Sequence, residues 1–101
     1  MNPIIAKALF KGKSYLDYRK LINDLLSENK STSTEQTESL THYSFLNDKR
    51  MSRLDKTFAL TNENAHKLKT LQKEYIWLVI SEGWCGDASQ ILPVFYKMEL
   101  A

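Results

Sequence analysis

Tyr75-Ile76-Trp77-Leu78-Val79-Ile80 is a run of six apolar residues without a charge, and Ser81-Glu82-Gly83-Trp84-Cys85-Gly86-Asp87-Ala88 follows it directly. β-Branched and aromatic side chains at this density read as a strand buried on both faces. Periodicity alone does not separate such a strand from a buried helix, but the run has strand length and Ser81-Glu82-Gly83 reads as a loop. Beyond Gly86 the apolar spacing changes, with Ala88, Ile91, Leu92, Phe95 and Leu100 on a helical repeat. The expected order is a central strand over about 75–81, a short loop, and a helix that starts at Cys85.

A strand leaves N–H and C=O groups free on both edges, and burying them unpaired costs on the order of 1–3 kcal/mol each. The chain offers no convincing second strand. Asn2 to Ala6 is a weak candidate, and Pro3 demotes it. The edges therefore need cover from the same strand of a second copy, giving a homodimer through 75–81, or from a segment beyond Ala101, or else the chain is a poorly packed monomer.

Upstream the pattern is helical. Ser14 and Asp17 have capping-box spacing, and Tyr15, Tyr18, Leu21, Ile22, Leu25 and Leu26 recur at helical intervals, which predicts a helix from about Ser14 to Asn29. Lys30 to Glu38 contains no apolar side chain and is expected to be a mobile linker. From Ser39, the residues Leu40, Tyr43, Phe45, Leu46, Met51, Leu54 and Phe58 predict one broken or two short helices, irregular around Asn47 and Asp48. Thr61 or Asn62 caps a further helix carrying Ala65, Leu68, Leu71 and Gln72. Residues 1–60 thus form a helical extension ahead of the strand and the cysteine helix, within a single domain of 101 residues.

The composition is ordinary for a globular chain, at 43% hydrophobic and 26% charged. Fourteen basic against twelve acidic residues give +2, too little to bind nucleic acid by phosphate neutralisation. No apolar run approaches the roughly 20 residues of a membrane span. Met1 to Lys13 carries Lys7, Lys11 and Lys13 without an acid, but Ile4, Ile5, Ala8 and Leu9 on one side favour an amphipathic start over a transit peptide. One cysteine, Cys85, allows no internal disulfide and fits a reducing compartment, so the cytoplasm is the expected location. His42 and His66 lack ligand-spaced companions, and no phosphate-binding glycine loop is present, so neither a metal nor a cofactor is expected.

Cys85 is the residue with chemistry. The free N–H groups of a first helical turn and the positive end of the helix dipole favour a thiolate, the nucleophilic form, whereas Glu82 and Asp87 beside it act in the opposite sense. Lys49, Arg50, Arg53 and Lys56 offset those acids if they pack over the loop, and otherwise form a solvated face with Asp48 and Asp55. Trp84 would shield one side of the sulfur and Gly86 would leave its backbone open to a substrate. Asp87 is either a favourable acid in the first turn or a proton donor and acceptor for Cys85.

Trp84, Cys85 and Gly86 after an apolar run, with Pro93 eight residues past the cysteine, resemble the thioredoxin superfamily, whose motif is W-C-G-P-C. The chain looks closest to bacterial thioredoxin-like proteins that read W-C-G-D-A, and Asn47, Arg50-Met51 and Arg53 are also similar to that group. The resemblance implies an incomplete α/β thioredoxin-like fold, mostly helical around one central strand, corresponding to the N-terminal portion of the family. Ala88 stands where the second cysteine would be, so a dithiol cycle cannot run on this chain. Two functions are compatible with these residues. One is a monothiol protein in which Cys85 attacks a disulfide or peroxide and an external thiol resolves the adduct. The other is a non-enzymatic thioredoxin-like binding module, or a truncated relative without independent activity.

Overall fold

The structure, a computed structural model, describes residues 2–71 and 73–101. Among them are five α-helices: α1 (Pro3–Lys11), α2 (Tyr15–Ser27), α3 (Glu38–Thr57), α4 (Asn62–Lys69) and α5 (Gly86–Leu100). The first four begin at residues whose side chains accept a first-turn N–H. Asn2 accepts from Ile4, Ser14 from Asp17, Thr37 from Leu40 and Thr61 from Asn64. Pro3 sits in the first turn of α1, where its missing N–H breaks no hydrogen bond. At the end of α2, Asn29 takes φ 60°, the left-handed conformation. Its N–H reaches Leu26 O at 2.9 Å while Lys30 N–H reaches Leu25 O at 2.8 Å, which completes a Schellman cap.

The central strand expected over 75–81 is not formed, and the described residues are helical or irregular with no sheet. The fold is therefore all-helical where an α/β class was expected. Strand structure depends on a neighbouring strand for its hydrogen bonds, and Asn2 to Ala6 is instead the cap and first turn of α1. Six apolar residues cannot make a sheet by themselves. They run as irregular chain, half or more exposed at Tyr75, Ile76, Trp77 and Ile80. Trp77 packs edge-on to Phe95 of α5, with ring centroids 5.1 Å apart. Between this segment, α2 and α5 lies an open groove of about 980 Å³, lined by Tyr15, Tyr18, Tyr75, Trp77, Val79 and Phe95 among others.

A further expectation is corrected. The region from Ser39 is one continuous 20-residue helix, α3, with no break at Asn47 or Asp48. Its buried face consists of Thr41, Ser44, Asn47 and Met51, while Tyr43, Phe45 and Leu46 are substantially exposed. Short side chains at three of those positions let α5 and the cysteine loop come close, which bulky residues would prevent. In addition, Gln72, expected on α4, lies outside the described residues.

The fully apolar core is small: Ile22 and Leu26 of α2 and Met51 of α3, flanked by Tyr15 and Tyr18. Polar contacts supplement it. Arg19 of α2 reaches Asp48 at 3.0 Å and Asp55 at 2.5 Å on α3, and it also donates to Ser52 and to the Tyr15 hydroxyl. Asp48 and Asp55 therefore serve Arg19 and do not neutralise the neighbouring basic residues of α3. Tyr15 stacks on Tyr96 of α5 at 4.7 Å, so α2 touches both other helices of the core. No helix among the described residues is long and apolar enough to cross a membrane.

Candidate functional site

Cys85 is the N-cap residue of α5, at φ −79° and ψ 115°, and its side chain makes no capping hydrogen bond. The thiol is free and partly exposed. Because the chain turns directly into helix at Gly86, Cys85 immediately precedes the free first-turn N–H groups of α5. Asp87 occupies that same turn, exposed and N-terminal, where a negative charge favours the helix. Trp84 is the exposed residue just before the cysteine.

The loop leading to Cys85 is anchored by groups from three separate parts of the chain. Tyr18 of α2 shares a hydrogen bond with Ser81, hydroxyl to hydroxyl at 3.3 Å. Thr32 donates its hydroxyl to the Glu82 carboxylate and accepts Gly83 N–H at 3.0 Å. Asn47 of α3, 1% exposed, donates its amide to Gly83 O at 3.1 Å. Cys85 N–H closes the turn on Glu82 O at 3.0 Å. Gly83 is itself buried; a methyl group there would meet the Ile22 side chain at 3.4 Å.

Arg50 links the anchor to the helix start. Its guanidinium donates to Asn47 Oδ1 at 3.0 Å and lies 3.7 Å from where a Cβ would stand on Gly86. Of the four basic residues that could approach the loop, Arg50 does so, while Lys49, Arg53 and Lys56 are exposed. Burial raises the Tyr18 hydroxyl above its ordinary range, partly offset by the Ser81 hydrogen bond and reinforced by Glu82 and Cys85 nearby. Tyr18 thus remains a neutral hydrogen-bonding group beside the loop at neutral pH.

A profile of the thioredoxin family, described simply as thioredoxin, matches residues 33–101, two thirds of the chain. The chain belongs to the thioredoxin family. No curated protein and no solved structure matches it. The matched span takes in α3, the exposed apolar segment, the cysteine loop and α5, so the thioredoxin-family part of the chain includes Asn47 and Arg50 as well as Cys85. Tyr18 and Thr32 lie ahead of it. In this thioredoxin-family chain, α2 and the segment after it therefore hold the loop before the cysteine, in addition to the packing of α2 on α3.

Thr32 and Tyr18 were not legible as loop anchors, because their partners are 51 and 63 residues away in sequence. Lys30 to Glu38 has no apolar anchor, yet Ser31 is buried and Gln36 folds back on it, accepting its N–H and donating to its carbonyl at 2.9 Å. A polar residue at a buried helical interval was the available signal for Asn47: it falls three residues after Ser44 and four before Met51. Among the described residues no group of His, Cys, Asp and Glu side chains is gathered as for a metal ion.

Proposed function

We propose that this thioredoxin-family chain is a monothiol exchange protein with Cys85 as its nucleophile. The reading rests on one observation: the chain's single cysteine caps the N-terminus of α5 with a partly exposed thiol that no intramolecular bond engages. The Trp84-Cys85-Gly86-Asp87-Ala88 motif supports it, since Ala88 removes the internal resolving thiol and leaves the first half of the dithiol reaction. In the proposed step, the Cys85 thiolate attacks one sulfur of a substrate disulfide. A Cys85–substrate disulfide forms, and the other sulfur leaves as a thiolate that takes a proton from water. An external thiol such as glutathione, itself as thiolate, then attacks the substrate sulfur of that adduct and returns Cys85 as the thiolate. No net oxidation of the protein results.

Trp84 and Gly86 would form the approach to the sulfur, and Asp87, in the first turn of α5, would relay that proton between water and the departing group. The environment assumed is a reducing one, the cytoplasm being the reading from Cys85. The test is reaction of the native protein with Ellman's reagent and with oxidised glutathione. We expect a stoichiometric Cys85 adduct that free thiol reverses, and no acceleration of insulin reduction by dithiothreitol over Cys85→Ser. A native thiol as slow as a buried one overturns the reading, and leaves the chain as a thioredoxin-like binding module.

A further inference from the structure

Helix α3 carries four cations over one stretch of eight residues: Lys49, Arg50, Arg53 and Lys56. Arg50 is half-buried and the other three are exposed. At about 3.6 residues per turn, Lys49, Arg53 and Lys56 fall within about 60° of one another around the helix and span about 10 Å along it. The acids of the same stretch do not offset them, because Asp48 and Asp55 lie toward α2, where Arg19 holds both. Among the described residues none of the four cations is in a salt bridge. Arg50 is next to this face, with its guanidinium beside Gly86, so the basic surface borders the helix start that carries Cys85. One turn earlier on the same face, Phe45 and Leu46 are 42% and 36% exposed.

We propose that this face of α3 docks the disulfide-bearing partner, and that the partner is an acidic polypeptide segment, with carboxylates against Lys49, Arg53 and Lys56 and an apolar side chain against Phe45 and Leu46. The proposal rests on the thiol reading of Cys85 and names the class of its substrate. Charge complementarity selects the partner. Unpaired cations grouped on one face attract a segment of opposite sign and raise its rate of encounter with the neighbouring thiol. The apolar pair beside the cations offers a contact that a free inorganic anion would leave unused. A flat anionic bilayer laid along α3 would also meet Glu38, which lies on the same face three turns before Lys49, whereas a polypeptide segment can cover the basic part alone. A nucleic acid, bound through many phosphates, is disfavoured by a net charge of only +2 on the whole chain.

The test uses three synthetic peptides of one length, each with a leucine and a single cysteine held as its 2-thiopyridyl disulfide, and flanked by glutamates, glutamines or lysines. The Cys85 thiolate attacks the peptide sulfur and a Cys85–peptide disulfide forms. Pyridine-2-thiolate leaves, takes a proton from water and is followed as the absorbing thione. At low ionic strength we expect the full chain to react about tenfold faster with the glutamate peptide than with the glutamine peptide, and slowest with the lysine peptide. The differences should vanish near 1 M salt, where the Debye length is about 3 Å. Lys49→Gln with Arg53→Gln and Lys56→Gln changes exposed side chains only, and should abolish the preference while leaving the rate with the glutamine peptide unchanged. Lys7→Gln with Lys11→Gln and Lys13→Gln removes the same charge from other exposed positions and should retain the preference. Equal rates for the three peptides overturn the proposal and spare the thiol reading, as does a preference that survives the α3 variant or is lost equally in the Lys7, Lys11 and Lys13 variant. Stronger competition by phosphatidylglycerol vesicles or duplex DNA than by polyglutamate at equal charge assigns the face to another partner and overturns it too. A Cys85 that reacts with none of the peptides overturns the thiol reading, and this proposal with it.

Discussion

Asn47 shows how one buried amide can hold the loop before Cys85 in place. Its Nδ2–H meets Gly83 O while its Oδ1 takes the Arg50 guanidinium, so both ends of the amide are used. Asn47→Ala leaves a buried carbonyl unpaired and should cost about 1–3 kcal/mol. Faster hydrogen exchange at Gly83 and Cys85 should accompany the loss in a denaturant titration. Gly86→Ala, in contrast, finds room for its methyl group with only the flexible end of Arg50 nearby. It should leave the melting temperature nearly unchanged but slow thiol exchange at Cys85 several-fold if substrate approaches over that residue. Equal exchange rates for Gly86→Ala and wild type would remove Gly86 from the approach. Asn29, in left-handed backbone at the end of α2, is a third sensitive residue. Asn29→Ala should destabilise the chain by about 1 kcal/mol, and Asn29→Gly should not.

At the scale of elements, local chemistry carried most of the helix starts. Ser14 and Thr61 were readable as caps because a short hydroxyl before an apolar repeat satisfies a free N–H wherever the helix later packs. The face that a helix buries depends on its neighbours. Leu40, Tyr43, Phe45 and Leu46 mark this region as helical, but the face that α3 buries is Thr41, Ser44, Asn47 and Met51. The α2–α3 contact is likewise polar at one end, where Arg19 meets both Asp48 and Asp55. Tyr15 belongs to this cluster, and burial, with smaller opposing and reinforcing effects from Arg19 and Asp55, pushes its hydroxyl up to about 12. Unfolded, that hydroxyl ionises near 10. The protonated phenol is thus favoured by folding, and its contribution is complete below pH 10 and lost as pH rises through about 12. Chemical denaturation between those limits should show stability falling with pH in wild type, and falling less in Tyr15→Phe.

The whole molecule is more open than its length requires. Its radius of gyration is 15.2 Å, against about 13 Å for a compact chain of this size. Among the described residues Ile22, Leu26 and Met51 form a buried core with little reserve, so Met51→Ala, at a typical cost of about 2–5 kcal/mol, should abolish cooperative unfolding. A cooperative transition with near wild-type midpoint would show that the Arg19 and loop networks carry the fold instead. What was legible from the amino-acid order was local: the helix starts and the thiol at a helix N-terminus, with Pro93 at the family spacing beside it. Each depends on contacts within a few residues, which any folded form of the chain must satisfy. The state of Tyr75–Ile80 was not local. Its composition is that of a buried strand, but a strand exists only where another chain segment supplies hydrogen bonds and cover. The tertiary structure decided that no described segment does so, just as it alone brought Tyr18, Thr32 and Asn47 to the loop before Cys85.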